Sequence, residues 1–489
     1  MSFTSFAFYA FLPLTFAGYW LLCYPREDRP VGSIRLWLQN LFVVVASYVF
    51  YGWWDWRFLI LITITALWAW ASGLLIGRLD DERFRKAVVA VALVVNLGIL
   101  AVFKYYNFFA ENVAAMLGAV GFKAHLSSLK VILPVGISFY TFQALSYVID
   151  VRRRDIEPTK DIVAFLAYVS FFPQLVAGPI ERATNLLPQF LRQRRFDYAL
   201  AVDGCRQMLW GYFKKMVVAD GCALAANNIL RADAAHSSVS IFVGLLCFTF
   251  QIYGDFSGYS DIAIGASKLF GIRLRRNFAT PYFSRNIGEF WRRWHISLTT
   301  WFKDYLYIPL GGSREGLMKT MRNTFVIFVV SGLWHGANWT FVVWGLVHAM
   351  AFLPLLFLGR NRKYIGAVVA ENSVLPTLRE AAGMMATFAL VLVGWAFFRA
   401  DTVSQACRWL GEIFVGFDFR IAPLQTNGAP HAMCWSFIML LCEWFNRRCE
   451  YGFAIYPKSV PLRYLVYFVI LFTIVLNLSP CQTFIYFQF

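Results

Sequence analysis

The stretch RNTFVIFVVSGLWHGANWTFVVWGLVHAM, from Arg322 to Met350, contains no Asp, Glu, Lys or Arg after its first residue. A helix needs about 20 predominantly apolar residues to cross the hydrocarbon core of a bilayer. The stretch therefore predicts a membrane-spanning segment over residues 323–347, followed by a shorter apolar segment over 348–358. It indicates a membrane protein rather than a soluble one.

Similar apolar segments recur from one end of the chain to the other. Of its 489 residues, 59% are hydrophobic and 15% are charged, whereas about a quarter of the residues of a soluble domain are charged. The composition predicts an all-α polytopic membrane protein with roughly ten to twelve transmembrane helices, formed by a single domain over residues 1–489 and surrounded by membrane lipid. Further candidate spans lie near residues 4–23, 36–54, 57–77, 87–104, 131–149, 161–178, 238–256, 380–398, 431–445 and 463–480.

The charges of the loops predict the orientation. We attribute the net charge of +17 to the Lys and Arg that membrane proteins keep in cytoplasmic loops, and we expect no nucleic-acid partner. No Lys or Arg precedes the first apolar segment, whereas the loop YPREDRPVGSIR follows it, so the N-terminus is expected outside. Pro173 and Pro179 interrupt apolar sequence, which is tolerated only inside protein or beside a water-filled cavity. Re-entrant helices are therefore predicted between residues 160 and 235.

A charged island interrupts the apolar chain and reads NIGEFWRRWHISLTTWFKDYLYIPLGG, from Asn286 to Gly312. Its apolar residues recur every three or four positions from 287 to 302, which places them on one arc of a helix. The island therefore predicts one amphipathic helix with His295 at the edge of its apolar face. Two interpretations remain open: an interfacial helix in which His295 merely packs, or a functional element.

His335 lies near the centre of the opening stretch, where an ionisable side chain is costly and is therefore functional by default. Gly332 and Gly336 leave space around it, and Asn338 shares its face. A buried imidazole is mostly neutral at pH 7, so it could accept a proton from a hydroxyl group. The alternative is a structural histidine bonded to a backbone carbonyl. We interpret His348 as an interface residue, and we predict no metal site because short zinc-ligand spacings are absent.

The segment QIYGDFSGYSDIAIG places Asp255 and Asp261 in apolar sequence. Carboxylates in such a position need cationic partners. We expect Arg292, Arg293 or the run Arg273–Arg276 to provide them. The pair is interpreted as a structural ion-pair network rather than as a catalytic site.

Three blocks of sequence resemble the membrane-bound O-acyltransferases. They are DFSGYSDIAIG, NFATPYFSRNIGEFWRRWHISLTTWFKDYLYIPLGG and SGLWHGANWTFVVWG, within a region of similarity from about 131 to 348. The resemblance is closest to the bacterial branch with the alginate O-acetyltransferase membrane component and the teichoic-acid D-alanyl transfer protein. It implies the MBOAT fold, with a central funnel or tunnel, in the bacterial inner (cytoplasmic) membrane.

The resemblance also implies a reaction and the residues that perform it. The family's invariant histidine corresponds to His335 and its second histidine to His295. His335 would act as general base, while Asn338, Trp334 and Asp304 would support the oxyanion or the substrate. No cofactor is expected to stay bound, and the donor would be acetyl-CoA or another acyl thioester on the cytoplasmic side. Donor-binding residues would be Arg292, Arg293 and Lys303.

The expected acceptor is a cell-surface polysaccharide such as alginate, reached directly or through periplasmic or extracellular acyl-accepting proteins. Cellulose, peptidoglycan, teichoic acid, lipid or protein are alternative acceptors within the same family. A transporter is the alternative from another class, because broken helices and polar residues at mid-membrane depth also occur there. The absence of an inverted repeat in the sequence argues against it.

Overall fold

A computed structural model describes residues 1–23, 33–122, 133–176, 178–231, 237–415, 428–478 and 484–485. All regular secondary structure in these ranges is helical. The helices are α1 (Phe6–Cys23), α2 (Ser33–Gly52), α3 (Phe58–Arg78), α4 (Glu82–Leu100), α5 (Tyr106–Ala119), α6 (Ile137–Arg153), α7 (Ile162–Ser170), α8 (Phe172–Leu175), α9 (Ala183–Phe190), α10 (Tyr198–Tyr212), α11 (Asp220–Ile229), α12 (Ser238–Leu269), α13 (Ile287–Arg293), α14 (Ile296–Phe302), α15 (Leu317–His335), α16 (Trp339–Phe357), α17 (Leu378–Arg399), α18 (Val403–Phe414), α19 (Ala429–Phe445) and α20 (Val460–Leu476). Three π-helical segments, Ala101–Tyr105, Phe213–Ala219 and Lys303–Tyr307, continue the helices before them.

Six helical segments of the described chain are long and apolar enough to cross a membrane. They are Ile34–Gly52, Phe58–Arg78, Glu82–Ala119, Ser238–Leu269, Trp339–Phe357 and Leu378–Arg399. Two shorter apolar helical segments, Phe6–Leu21 and Val460–Leu476, occur near the ends. These helices confirm the all-α polytopic membrane fold, while the predicted number of crossings stays a prediction.

The chain forms two compact units. The first contains Met1–Gly204 and Ala266–Arg275, and the second contains Cys205–Gly265 and Arg276–Phe489. Each histidine, arginine and lysine proposed above as a site residue belongs to the second unit. The single domain over residues 1–489 stays a prediction.

In the first unit, the chain between residues 160 and 190 is broken into short helices, as its prolines predicted. Helices α7, α8 and α9 have nine, four and eight residues, and none is long enough to cross a bilayer alone. Buried hydrogen bonds attach the segment after α9 to α1 and α2. Arg194 donates hydrogen bonds to Asn40 Oδ1 at 2.8 Å and to the Tyr19 hydroxyl at 2.6 Å. Whether these helices are re-entrant stays a prediction.

In the second unit, α15 and α16 form a hairpin whose backbones touch at glycines. A Cβ atom on Gly332 would lie 2.3 Å from the carbonyl oxygen of Phe341, and one on Gly345 would lie 2.3 Å from that of Phe328. No other residue type has room at either position. The hairpin thereby brings the C-terminal end of α15 beside the N-terminal end of α16.

The prediction of one continuous span over 323–347 is wrong, because α15 ends at His335 and α16 begins at Trp339. Gly336 between them has an extended backbone. Asn338 then caps α16, since its side-chain oxygen accepts the N–H of Thr340 at 3.1 Å. An N-cap residue has a non-helical backbone, so one continuous helix cannot pass through Asn338. His335 therefore lies at the end of a helix and not in the middle of one.

The prediction of one amphipathic helix over 287–302 is also wrong. Trp294 has an extended backbone (φ −100°, ψ 128°), and His295 has a left-handed one (φ 43°, ψ 55°). The two residues separate α13 from α14, whose apolar residues are buried on both sides of the break. The break turns the chain at the histidine, so residues 287–302 form two short helices whose apolar side chains are mostly buried.

Candidate active site

His335 is buried at the end of α15 in a ring of aromatic side chains. Its exposed fraction is 3%. Its ring centroid lies 5.0 Å from that of Trp334, 4.9 Å from that of Trp344 and 5.4 Å from that of Phe398. These contacts come from α15, α16 and α17 together. The imidazole is thus held in one orientation by three rigid helices.

His295 is buried as well, with an exposed fraction of 1%. Its Nδ1 lies 3.1 Å from Oδ1 of Asn277. The same oxygen accepts hydrogen bonds from the hydroxyl and the backbone N–H of Ser297. A carbonyl oxygen only accepts, so Nδ1 carries the proton and Nε2 is the acceptor nitrogen of the ring. Burial lowers the pKa of His295 to about 3, so the ring is neutral at physiological pH.

Trp334 connects the two histidines. Its ring centroid lies 5.9 Å from that of His295 and 5.0 Å from that of His335. The sequence placed these histidines on unrelated segments of the chain, and the structure brings them to the same indole. Trp334 was predicted to support the oxyanion or the substrate. Its position between the two histidines is compatible with that role, which stays a prediction.

His348 was interpreted as an interface residue, and the structure shows that this is wrong. Its side chain is completely buried in the second unit. Its ring centroid lies 4.9 Å from those of both Trp291 and Trp344. Because Trp344 also contacts His335, the aromatic cluster continues from one histidine to the next. The signal in the sequence was the spacing of Trp344, Gly345 and His348, which puts all three on the helix face that packs against α15.

A cavity of about 420 Å³ opens beside the end of α15. Its volume falls in the usual range for small-molecule sites, about 300–1,000 Å³. His335 is adjacent to it in the chain and contacts Phe398 in its wall. The described residues that line it are Asn227, Phe248, Gln251, Gly336, Ala337, Asn338, Thr340, Phe341, Phe398, Arg399, Ala400, Asp401 and Ile485.

Asn338 lines this cavity and also serves the fold. Its side-chain oxygen caps α16, and its NH₂ group donates to the backbone carbonyl of Asp401 at 3.1 Å. The second hydrogen of that NH₂ group is still available to a ligand. The proposed role in binding an oxyanion is compatible with this geometry and stays a prediction.

Arg292 and Arg293, which were predicted to bind the donor, both bind groups of the chain itself. Arg292 donates to the backbone carbonyls of Asn361 and Lys363, both at 2.8 Å. Arg293 pairs with Glu289 at 3.0 Å and donates to the carbonyl of Ala367 at 2.9 Å. Both arginines therefore fasten the segment that follows α16. Their role in donor binding stays a prediction.

Lys303 and Asp304 lie in the π-helical segment Lys303–Tyr307 that continues α14. Lys303 is exposed and Asp304 is partly exposed. The roles assigned to Lys303 and Asp304 stay predictions. Among the residues that the structure describes, no three His, Cys, Asp or Glu side chains gather as metal ligands would.

Two buried lysines, rather than arginines, pair with the carboxylates of α12. Lys214 lies 2.5 Å from Asp261, and Lys215 lies 2.9 Å from Asp255. Lys215 also contacts Asp220 at 2.7 Å. The structural ion-pair network is thus present, and lysines rather than arginines lie within salt-bridge distance of the two carboxylates. Of the expected arginines, Arg276 lines the same small cavity as Asp261 and Lys214. The sequence signal was the Lys pair inside the apolar run YFKKMVV, where a cation requires a buried anion.

Known proteins resemble this chain over most of its length. The sequence model of the family described as MBOAT, membrane-bound O-acyltransferase family, matches residues 88–373. The chain is 39% identical over 389 residues to a probable alginate O-acetylase AlgI of Pseudomonas putida, which covers 79% of this chain and 77% of that protein. It is 35% identical to a peptidoglycan O-acetyltransferase of Helicobacter pylori, over 82% of this chain and 77% of that protein. It is 27% identical to a teichoic acid D-alanyltransferase of Bacillus subtilis, over 47% of this chain and 61% of that protein.

Proposed function

The chain belongs to the membrane-bound O-acyltransferase family, and from this premise we propose that it moves an acetyl group from a cytoplasmic thioester to hydroxyl groups of a cell-surface polysaccharide such as alginate. The observation that carries the proposal is that two buried histidines, His295 and His335, contact the same Trp334 beside a cavity of about 420 Å³. The names of the relatives support acetyl as the group and a surface polymer as the acceptor.

His335 acts as the general base in this proposal. Its imidazole takes the proton of the acceptor hydroxyl while the hydroxyl oxygen attacks the thioester carbonyl carbon. The tetrahedral intermediate carries a negative oxygen that needs donors about 3 Å away, and the N–H groups at the start of α16 or Asn338 would provide them. The intermediate then expels the thiolate, which receives the proton from His335. His295, neutral because of its low pKa, would hydrogen-bond the substrate without adding charge.

The charges of the second unit support a location of the cavity on the acceptor side. Helix α17 has 22 residues and is about 33 Å long, close to the thickness of a bilayer core. At its N-terminal end, Glu380 pairs with Arg285. At its C-terminal end, Arg399 donates to Asn227 in the cavity wall. The first end also gathers Arg292, Arg293, Arg360, Arg362, Lys363 and Arg447, so it is the cytoplasmic end by the excess of Lys and Arg there.

The remaining parts of the proposal follow from this orientation. Acetyl-CoA or another acyl thioester would approach from the positively charged end, and Arg292, Arg293 and Lys303 would attract it. The acetyl group would leave through the cavity toward the periplasm, where a partner protein or the polysaccharide itself accepts it. We place the protein in the bacterial inner membrane with its N-terminus outside.

The proposal is tested with purified protein in lipid nanodiscs, radiolabelled acetyl-CoA and alginate oligosaccharides. We expect label to appear in the oligosaccharide with the wild type. With His335→Ala the rate should fall by about 10²- to 10⁴-fold, the usual loss on removing a general base, while Tm stays within a few degrees. Full activity of His335→Ala would remove its central role. Label in peptidoglycan fragments but not in alginate oligosaccharides would identify another acceptor within the family.

A further inference from the structure

Gln251 of α12 is a buried amide in the wall of the cavity beside His335. Its side chain is 9% exposed, and its Oε1 has no hydrogen-bond partner among the residues that the structure describes. Phe248, one turn earlier on the same helix, lines the cavity with it. A buried amide oxygen without a partner destabilises a folded protein. Such a group deserves an explanation, and a ligand in the cavity would supply the missing hydrogen bond.

The oxygen atoms of the other amides in the cavity wall already accept hydrogen bonds. Oδ1 of Asn227 accepts a hydrogen bond from Arg399 at 3.1 Å. Asn338 uses its oxygen to cap α16 and its NH₂ group to bind the carbonyl of Asp401. Within the described part of the wall, Gln251 is therefore the amide whose oxygen is left to a ligand.

We propose that Gln251 positions the acceptor, a saccharide whose hydroxyl groups enter the cavity beside His335. An amide offers an acceptor oxygen and a donor NH₂ group side by side, and two neighbouring hydroxyls of a sugar offer the complementary donor and acceptor. The Arg399 guanidinium in the same wall suits a sugar that carries a carboxylate. This inference rests on the proposed function and adds to it the residue that holds the accepting hydroxyl.

The test compares Gln251→Leu with the wild type. Leucine has a similar volume but no polar atom, so it removes the hydrogen bonds and leaves the packing nearly intact. Thr249→Val is the matched control, because Thr249 is buried on the same helix, bonds only the carbonyl of Leu245 through its hydroxyl, and does not line the cavity. Gln251→Asn tests rescue by a shorter amide.

Three measurements are made on each variant in nanodiscs: Tm, equilibrium binding of an alginate oligosaccharide without donor, and steady-state acetyl transfer with acetyl-CoA. For Gln251→Leu we expect an unchanged or higher Tm, binding weakened about fivefold or more, and a KM for the oligosaccharide raised by a similar factor. Hydrolysis of acetyl-CoA without acceptor should keep its rate. Gln251→Asn should recover part of the binding, and Thr249→Val should match the wild type.

Oligosaccharide binding by Gln251→Leu within twofold of the wild type would overturn the inference. A lower Tm together with equal losses of acetyl transfer and of acetyl-CoA hydrolysis would also overturn it, because a purely structural residue would give that result. Normal saccharide kinetics combined with a raised KM for a serine-containing peptide would replace the saccharide by a protein acceptor. If the wild type binds the oligosaccharide but transfers nothing to it, the proposed function fails, and the binding measurement still decides the role of Gln251.

Discussion

His295 combines an imidazole with a backbone conformation that few residues other than glycine adopt. Its φ of 43° lies in the left-handed region, where a residue with a Cβ atom is strained. Asn277 stabilises this turn through two contacts. Its backbone carbonyl accepts the N–H of Ile296 at 2.9 Å, and its side-chain oxygen lies 3.1 Å from Nδ1 of His295. Tertiary contacts rather than local preference therefore fix the direction of the ring.

We expect the stability of the protein to fall between pH 7.5 and pH 5, in part because of His295. Burial lowers the pKa of the folded ring from its usual 6.5 to about 3, so in this interval the unfolded chain takes up a proton that the folded chain does not. The stabilisation is complete above the unfolded pKa and declines as the pH falls toward the folded one. At pH 5 the loss from this residue is about 2 kcal/mol.

Thermal denaturation of the wild type and of His295→Asn at the two pH values measures this effect. Asparagine tolerates the left-handed backbone and does not titrate, so it is the matched replacement. The wild type should lose more of its Tm than the variant when the pH is lowered. Two profiles that run parallel would show that His295 titrates normally in the folded protein.

At the scale of the elements, the hairpin of α15 and α16 sets the position of His335. The glycines at 332 and 345 let the two backbones approach within contact distance. Gly336 lies just after the histidine, and a Cβ atom there would lie 2.2 Å from the ring of Phe341. The helix end that holds the imidazole is therefore as closely packed as the hairpin itself.

We expect Gly332→Ala to impair both stability and activity. Its new methyl group would lie 2.3 Å from a backbone oxygen that cannot rotate away, so α15 and α16 must separate, at a cost of about 1–3 kcal/mol. Acetyl transfer should fall at least tenfold, because misplacing a catalytic group by about 1 Å can cost 10²-fold in rate.

Gly411→Ala in α18 is the control for this change. A Cβ atom at Gly411 has nothing within 4 Å, and alanine favours a helix more than glycine does. This variant should keep its activity and show an equal or higher Tm in the same denaturation and transfer assays. A Gly332→Ala protein that behaves like Gly411→Ala would show that the hairpin contact is adjustable.

Apolar periodicity was enough to predict most of the long helices, but not the places where helices break. The spacing of apolar residues continues unchanged through Trp294 and His295. The turn there depends on hydrogen bonds to Asn277, which precedes this helical pattern in the sequence and lies outside it. The break after His335 did have a local signal, because a glycine and the capping residue Asn338 follow it. The strong hydropathy of the surrounding sequence outweighed that signal.

The site was only partly predictable for the same reason. His295, His335 and Trp334 were proposed from the sequence and its family resemblance, and the structure brings their rings together, while their catalytic roles stay predictions. The partners of Asp255 and Asp261 were not, since Lys214 and Lys215 are separated from them by tens of residues and only the packed helices bring them together. Gln251 gave no signal at all, because an unused hydrogen-bonding atom is recognisable only when its surroundings are known.

At the scale of the whole molecule, a group of arginines of the second unit gathers at the N-terminal end of α17. Four arginines donate hydrogen bonds to backbone carbonyls of the segment from residue 361 to 373: Arg285, Arg292, Arg293 and Arg447. Arg285 also forms a salt bridge with Glu380 of α17. The cavity opens at the other end, near Asp401. The second unit is thereby polarised along the direction in which the acetyl group would travel in the proposed function.

We expect this polarity to match the membrane. Ser404 and Arg362 are both exposed, one near each end of the second unit. In a variant whose nine cysteines are replaced by alanine, Ser404→Cys should react with a membrane-impermeant maleimide in spheroplasts. Arg362→Cys should react only after permeabilisation. The reverse pattern would contradict the acceptor-side assignment of the cavity, provided that both variants still acetylate the substrate.

The cavity wall and the aromatic cage of His335 are largely built from different side chains. Gln251, Asn227 and Arg399 line the space, whereas Trp334 and Trp344 enclose the imidazole and do not. Mutations that reshape the wall at these positions can therefore accumulate without disturbing the indole rings that enclose His335. Such a division would let one ancestral enzyme diverge toward new polymers in small, individually viable steps, and it marks the wall as the place to begin laboratory evolution of altered acceptor range.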